Sequence, residues 1–225
     1  MTFDPFGDFQ SRGYLRNMAG IHDLIAVKEF EHRAFLDRLD EAVEYLKHVD
    51  KLTYQHVLDT HRILFQDVYP WAGQDRQATA PDIAVGRGDR SDLFAPPRFV
   101  QDAVHYALRL AQDDPAYMAE HPGEVMGYLA HGHPFLEGNG RTIMVVHNEL
   151  AYRAGISIDW SRTEKDAYLE ALTRELDRPG KGELDNYLKP YIGPAMTHEQ
   201  SAALLGELRG LGPALLDDGI SLGDE

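Results

Sequence analysis

The sequence predicts an all-α fold, a helical bundle broken by one short β-hairpin flap. Apolar residues recur at intervals of three and four with charges between them, as amphipathic helices require. Helix start and stop residues stand at the ends of these stretches. Only two segments, 74–97 and 131–140, gather enough Gly and Pro to break the pattern. The chain has 225 residues, 43% of them hydrophobic, which suits one domain, or one domain with a small appendage, and a sizeable core.

Residues 29–46 carry Leu36, Leu39, Val43 and Leu46 on one face, while Asp37, Asp40, Glu41 and Glu44 form a solvated one. Thr53 suits an N-cap, and Tyr54, Val57, Leu58, Leu64 and Phe65 follow on one side. Pro97 opens a helix that runs to about residue 111, at the position where a missing N–H costs nothing. Further helices are expected over 123–130 and over 141–154, the second stopped by Gly155 as a C′ glycine. Two more span 163–176 and 183–191. The run Thr197-His198-Glu199-Gln200 has capping-box form and begins a last helix to about 208. The segment 74–97 is long for a structureless loop, and the apolar run Ile83-Ala84-Val85 inside it marks it as a flap. The tail after Gly210 is rich in Gly and Asp and reads as loosely ordered.

Composition excludes several classes of function. There is no cysteine, so disulfide scaffolds and Cys-ligated metal sites are out. Lys plus Arg is 22 against 37 Asp plus Glu, a formal charge of −15, which argues against direct nucleic-acid binding. No run approaches the roughly 18–20 apolar residues of a membrane span. The first ten residues lack the basic start of a secretory signal, so the expected location is cytoplasmic, with delivery to another cell by a signal-less route left open.

Chemistry concentrates in the second break, His133-Pro134-Phe135-Leu136-Glu137-Gly138-Asn139-Gly140-Arg141, which leads directly into a helix. Gly138 and Gly140 allow backbone N–H groups to turn outward as an anion nest, and the helix N-terminus adds partial positive charge. Arg141 can fork onto phosphate oxygens. Glu137 is a hard oxygen ligand suited to Mg²⁺ shared with a phosphate. His133 is the side chain able to take a proton near neutral pH. Phe135 reads most simply as an anchor. These are the parts that phosphoryl or nucleotidyl transfer needs. A plain helix-capping loop with a surface histidine is the alternative, and the ordered set of His, Glu, Asn and Arg argues against it. A zinc cluster of His131, His133, His147 and Glu149 is disfavoured by spacing, because a helix points His147 and Glu149 apart. Tyr69 and Trp71 read as core rather than as a ligand wall.

This nine-residue run resembles, at every position, the H-x-F-x-[D/E]-[G/A]-N-[G/K]-R signature of the Fic (filamentation induced by cAMP) family. Gly13-Tyr14-Leu15-Arg16-Asn17 through Glu31 is similar to the lead of bacterial Fic toxins. Residues 61–73 with Arg76 are similar to their second core helix. The resemblance covers roughly residues 10–195. It implies a Fic fold divided into an N-terminal helical lead (1–50), a Fic core (51–195), and a C-terminal helix with a flexible tail (196–225). It further implies transfer of AMP from ATP to a Ser, Thr or Tyr hydroxyl of a target protein. In that reading His133 is catalytic, and Glu137 holds Mg²⁺. Phe135, Gly138, Asn139, Gly140 and Arg141 are nucleotide-binding. The flap at Ile83, Ala84 and Val85 docks the target by main-chain pairing. The toxin group implies a gyrase or topoisomerase IV subunit as target and a small antitoxin as a further partner.

One position departs from the pattern. Many AMP-transferring members carry a second arginine three residues after the first, and here Met144 stands there. That keeps two alternatives open: another donor (UMP, GMP, phosphate or phosphocholine transfer), or a non-catalytic nucleotide-binding module. Ser221-Leu222-Gly223-Asp224-Glu225 has the Ser-x-x-x-Glu spacing of the family's inhibitory helix without the residue that follows it, and reads as chance.

Overall fold

The structure, a computed structural model, describes residues 14–87, 90, 92–208 and 220–222. Helix α1 (Leu24–Lys47) begins five residues before the expected start, because the Asp23 side chain accepts from the Ala26 N–H and caps it. It buries Val27, Phe35, Leu39, Val43 and Leu46, and turns Asp37, Asp40, Glu41 and Glu44 to solvent. Helix α2 (Tyr54–Phe65) is capped at Thr53, whose N–H donates to His56 Nδ1 at 2.9 Å. Next come a one-turn helix, α3 (Arg76–Thr79), and a three-residue strand, β1 (Val85–Arg87). A 3₁₀ turn at Pro97–Phe99 leads into α4 (Val100–Asp113), followed by α5 (Pro115–Glu120) and α6 (Pro122–Gly132).

Helix α7 (Asn139–Arg153) is the centre of the bundle. Every residue from Arg141 to Ala151 is buried, the polar Arg141, Thr142, His147, Asn148 and Glu149 included. Helices α1, α2 and α6 pack around it, and α4 covers the outer side of α6. Gly155, at φ +79°, ends α7 in the left-handed conformation expected of a C′ glycine. Beyond it, β2 (Ile156–Ile158) pairs antiparallel with β3 (Ile192–Pro194). Between these strands lie α8 (Lys165–Asp177) and α9 (Glu183–Leu188). Asp185 of α9 accepts at Oδ1 from the Gly123 and Glu124 N–H groups, at 2.6 and 3.3 Å, and so caps α6 from outside. A side chain at 123 has no room there, since a Cβ would stand 2.3 Å from the Asp185 nitrogen. Helix α10 (His198–Gly206) starts with the predicted capping box of Thr197 and Gln200.

The all-α class holds, with one core cluster running from Phe35 and Leu46 through Phe65, Leu129 and Phe135 to Leu150. Tyr69 and Trp71 are core residues stacked on each other at 4.4 Å. Among the described residues no helix is long and apolar enough to cross a membrane. The sequence does not announce α3, α5 or the β2–β3 pair, which are too short for a periodic pattern to show. Residues 88, 89 and 91 of the flap lie outside the described residues. The flap strand β1 pairs antiparallel with β4 (Ile220–Leu222), in the tail expected to be loose. Backbone pairing over that separation leaves no local pattern to read. The rest of that tail, 209–219 and 223–225, lies outside the described residues.

Candidate active site

His133 sits where α6 ends, and its backbone is held at φ 40°, ψ 59°, the one left-handed non-glycine conformation among the described residues. Such a conformation costs free energy and persists only where surroundings impose it. Here Arg76 imposes it. Its N–H donates to the Pro134 carbonyl at 2.7 Å, its Nε to the His133 carbonyl at 2.7 Å, and its Nη2 to the Ala95 carbonyl at 2.6 Å. The His133 ring lies half-buried and stacks on Phe94 at 3.8 Å. Burial first, then the Arg76 charge, pulls its pKa down to about 3 against the opposing pull of Glu137. The ring is therefore neutral near pH 7 and free to accept a proton.

The loop after it is braced from beneath. Phe135 is fully buried and stacks on His61 at 3.7 Å, and it does not line the cavity. Sequence reasoning placed it among the nucleotide-binding residues, whereas its position is that of an anchor. Asn139 holds the loop closed by accepting from the Phe135 N–H at 2.8 Å and donating to the Phe135 carbonyl at 2.7 Å. Gly138 takes φ +79°, and a Cβ there would lie 2.6 Å from the Phe65 ring. Its N–H donates to Glu137 Oε1 at 2.8 Å. His61 accepts from the Gly73 N–H at Nδ1 (2.9 Å), so its proton is on Nε2, which donates to the Glu137 carbonyl at 3.0 Å.

Glu137 lies on the cavity wall with Oε2 on Lys28 Nζ at 2.7 Å and Oε1 3.6 Å from Arg141. Burial pushes its pKa up, but the Lys28 and Arg141 charges and the hydrogen bonds outweigh it and hold it at about 2. The carboxylate is ionised throughout the working pH range, as a metal ligand must be. Arg141 is buried over the Phe65 ring, and its Nη2 donates to Glu31 Oε2 at 2.9 Å. Glu31, 1% exposed, also accepts from the Tyr69 hydroxyl and pairs with Lys28 at 3.3 Å.

His133, Glu137, Asn139 and Gly140 line one cavity of about 770 Å³, a volume typical of small-molecule sites. Gly86 of the flap strand lines it too, whereas Ile83 and Ala84 do not. Met144 also faces it, so the position that resemblance gives to a second arginine is apolar wall. Helix α8 supplies the far side through Lys165, Leu169 and Leu172. His131 and His147 are not brought together for a metal. His131 donates from Nδ1 to the Leu93 carbonyl, and His147 from Nε2 to the Pro122 carbonyl. Sequence reasoning missed Lys28, Glu31, His61, Tyr69 and Arg76 as parts of this site. One signal was present: Glu31 stands four residues from Val27 and from Phe35, on the buried stripe of α1.

This geometry agrees with three comparisons. Residues 51–151 match the model of the Fic/DOC family. The chain is 34% identical over 168 residues to the probable protein adenylyltransferase y4lH of Sinorhizobium fredii, covering 71% of this chain and 82% of that protein. It is 31% identical over 178 residues to the protein adenylyltransferase VbhT of Bartonella schoenbuchensis, covering 75% of this chain but only 35% of that longer one. In fold it resembles the crystal structure of BepC from Bartonella tribocorum with bound AMPPNP, at 18% identity and a TM-score of 0.64 over 83% of this chain and 96% of that one. The N-terminal Fic domain of a Bartonella quintana effector gives 21% identity and a TM-score of 0.66 over 82% and 90% of the two chains. With its nine-residue loop, its helical frame and a relative matched over four-fifths of its length, the chain belongs to the Fic/DOC family.

Proposed function

We propose that the protein transfers AMP from ATP to a Ser, Thr or Tyr hydroxyl of another protein. The observation that carries this reading is a neutral histidine, His133, on the same cavity wall as an ionised carboxylate, Glu137. The names of its relatives, protein adenylyltransferases, support it. In the proposed reaction the target hydroxyl oxygen bonds to the α-phosphorus of ATP, and its proton passes to a ring nitrogen of His133. The bond from the α-phosphorus to the bridging oxygen breaks, and pyrophosphate leaves. The loop glycines and the N-terminus of α7 offer donors to the phosphates, and Arg141 has N–H groups beyond the one given to Glu31. Glu137 fits Mg²⁺, since one ionised carboxylate plus substrate phosphates is the usual way that cation is held. When bound, Mg²⁺ would neutralise charge on the leaving phosphates.

The flap would present the target strand by backbone pairing at β1, on the edge not paired with β4 or after β4 leaves it. Resemblance to the toxin group makes a gyrase or topoisomerase IV subunit the first target to assay, in a cytoplasmic setting with a small antitoxin as candidate regulator. Met144 favours testing a second reading, transfer from another nucleotide, because the cavity lacks a second motif arginine.

The test uses wild type and His133→Ala with Mg²⁺, cell lysate and ATP labelled at the α- or γ-phosphate, alongside α-labelled GTP and UTP. Protein label from α-labelled ATP with wild type alone establishes AMP transfer. Label only from GTP or UTP moves the assignment to that donor, and label from γ-labelled ATP makes the reaction kinase-like. Unchanged transfer by His133→Ala, with normal folding, removes His133 as the base.

A further inference from the structure

Glu137 is already paired with a cation from another part of the chain. Its Oε2 lies 2.7 Å from Nζ of Lys28, on α1. We infer that Lys28 is a positioning residue, a place-holder cation that occupies the metal-binding oxygen of Glu137 and yields it to Mg²⁺. The inference rests on the reading of Glu137 as the Mg²⁺ ligand.

Three observations carry it. First, the two oxygens of Glu137 are held in different ways. Oε1 accepts from the Gly138 N–H at 2.8 Å, and that backbone is fixed by its φ of +79° and by the Phe65 ring against it. Oε2 is held by the end of a flexible side chain that approaches from α1. Oε2 is therefore the oxygen that can be freed without moving the catalytic loop. Second, Lys28 has another carboxylate within reach. Glu31 Oε2, one turn along the same helix, lies 3.3 Å from Nζ. Lys28 can leave Glu137 and keep a partner, so its charge is not stranded among buried groups. Third, the pair stands at the cavity. Glu137 lines the same space as His133, and only 14% of its side chain and 18% of that of Lys28 are exposed. Water screens such a pair weakly, so the ammonium opposes a divalent cation at Oε2 strongly.

Lys28 thus does two things. It holds Glu137 ionised and aimed while the site is empty of ligand. It also keeps affinity for a bare cation low, so that loading favours a cation that arrives with phosphates, whose negative charge offsets the ammonium. No other group has to move, because Arg141 stays on Glu31.

The test measures binding of Mn²⁺ alone, an ion that suits the same oxygen ligands as Mg²⁺, by loss of its free-ion electron paramagnetic resonance signal. Lys28→Met should bind Mn²⁺ at least about tenfold more tightly than wild type, since the cation no longer competes with a hydrogen bond to a charged group. Lys28→Gln, which keeps a hydrogen-bond donor beside both carboxylates and so protects the fold, should shift affinity the same way. Lys28→Arg, which keeps the charge, should stay close to wild type. The gain should vanish when Lys28→Met is combined with Glu137→Gln. Unchanged or weaker binding by Lys28→Met and Lys28→Gln overturns the inference. A gain that survives Glu137→Gln overturns it too, because Lys28 would then act on some other site. These readouts do not depend on transfer. The expected binding pattern without label from any nucleotide removes the AMP-transfer reading and leaves the place-holder role standing.

Discussion

Gly138→Ala should destabilise the protein through two separable causes. The backbone at 138 has φ +79°, which costs an L-residue roughly 1–2 kcal/mol. The new Cβ would also stand 2.6, 2.9 and 3.0 Å from three atoms of the Phe65 ring. Phe65 is fully buried, so the ring has nowhere to retreat, and forced overpacking of this kind costs about 1–3 kcal/mol. The sum is about 2–5 kcal/mol, a large share of a typical domain's total stability. Arg141 lies over the same ring at 4.8 Å, so displacement of Phe65 reaches the arginine and transfer should fall as well. Urea unfolding of Gly138→Ala in wild-type and Phe65→Leu backgrounds separates the terms. In the second background the ring is gone and only the backbone cost of roughly 1–2 kcal/mol should remain. Equal costs in both backgrounds, or a cost below about 0.5 kcal/mol in wild type, would refute the reasoning.

Three further outcomes are expected. In the proposed reaction the neutral form of His133 accepts the proton, and its folded pKa is about 3, so transfer should show no midpoint near pH 6.5; such a midpoint in the rate profile contradicts the proposal. His61 and His147 are fully buried, with pKa values lowered by burial to about 3 and about 4. The unfolded chain protonates them first, so stability is complete above about pH 6.5 and falls as pH drops, by about 1.4 kcal/mol per unit for each ring, or about 2 kcal/mol each at pH 5. His147→Gln should remove about one proton's worth of that slope, and an unchanged slope in urea titrations would count against the burial argument. Arg76→Ala leaves the His133 and Ala95 carbonyls without its donors and should cost roughly 2–4 kcal/mol, with transfer falling more steeply than stability. Stability equal to wild type by thermal melting would show that the loop holds itself.

The catalytic loop is legible because its chemistry is local. Gly138 reports a left-handed turn, Asn139 closes a hydrogen-bonded ring with a residue four positions back, and the next residues start a helix. Helix caps at Thr53 and Thr197 are readable for the same reason. What the sequence hides is the set of groups that reach this loop from afar. Arg76 reaches His133 across 57 residues, His61 reaches Glu137 across 76, and Lys28 reaches it across 109. Each is a polar residue whose partner is set by tertiary packing, so no spacing rule can find it. The β1–β4 pair is the extreme case, a three-residue ladder whose strands are joined only by the folded bundle.

The position of Glu31 changes what should count as the site. The family match covers 51–151, yet the carboxylate that holds Arg141 comes from α1, and so does the ammonium on Glu137. Arg141 and Glu31 are both buried, and breaking such a pair by removing one partner typically costs about 3–5 kcal/mol, because the other is left as an uncompensated charge. Helix α1 therefore supplies the charged partners of both Arg141 and Glu137. It also sets the charge that a nucleotide meets. Lys28 and Arg141 carry two formal positive charges, and Glu31 and Glu137 carry two negative ones, so the cluster is neutral before any ligand arrives. Lys28 is already shared between both carboxylates. In the proposed reaction a phosphate tail brought here would meet directional donors at the start of α7 but no net positive charge. That is the physical reason for the divalent cation in the proposed mechanism, and for the ionised Glu137 at the cavity wall to hold it.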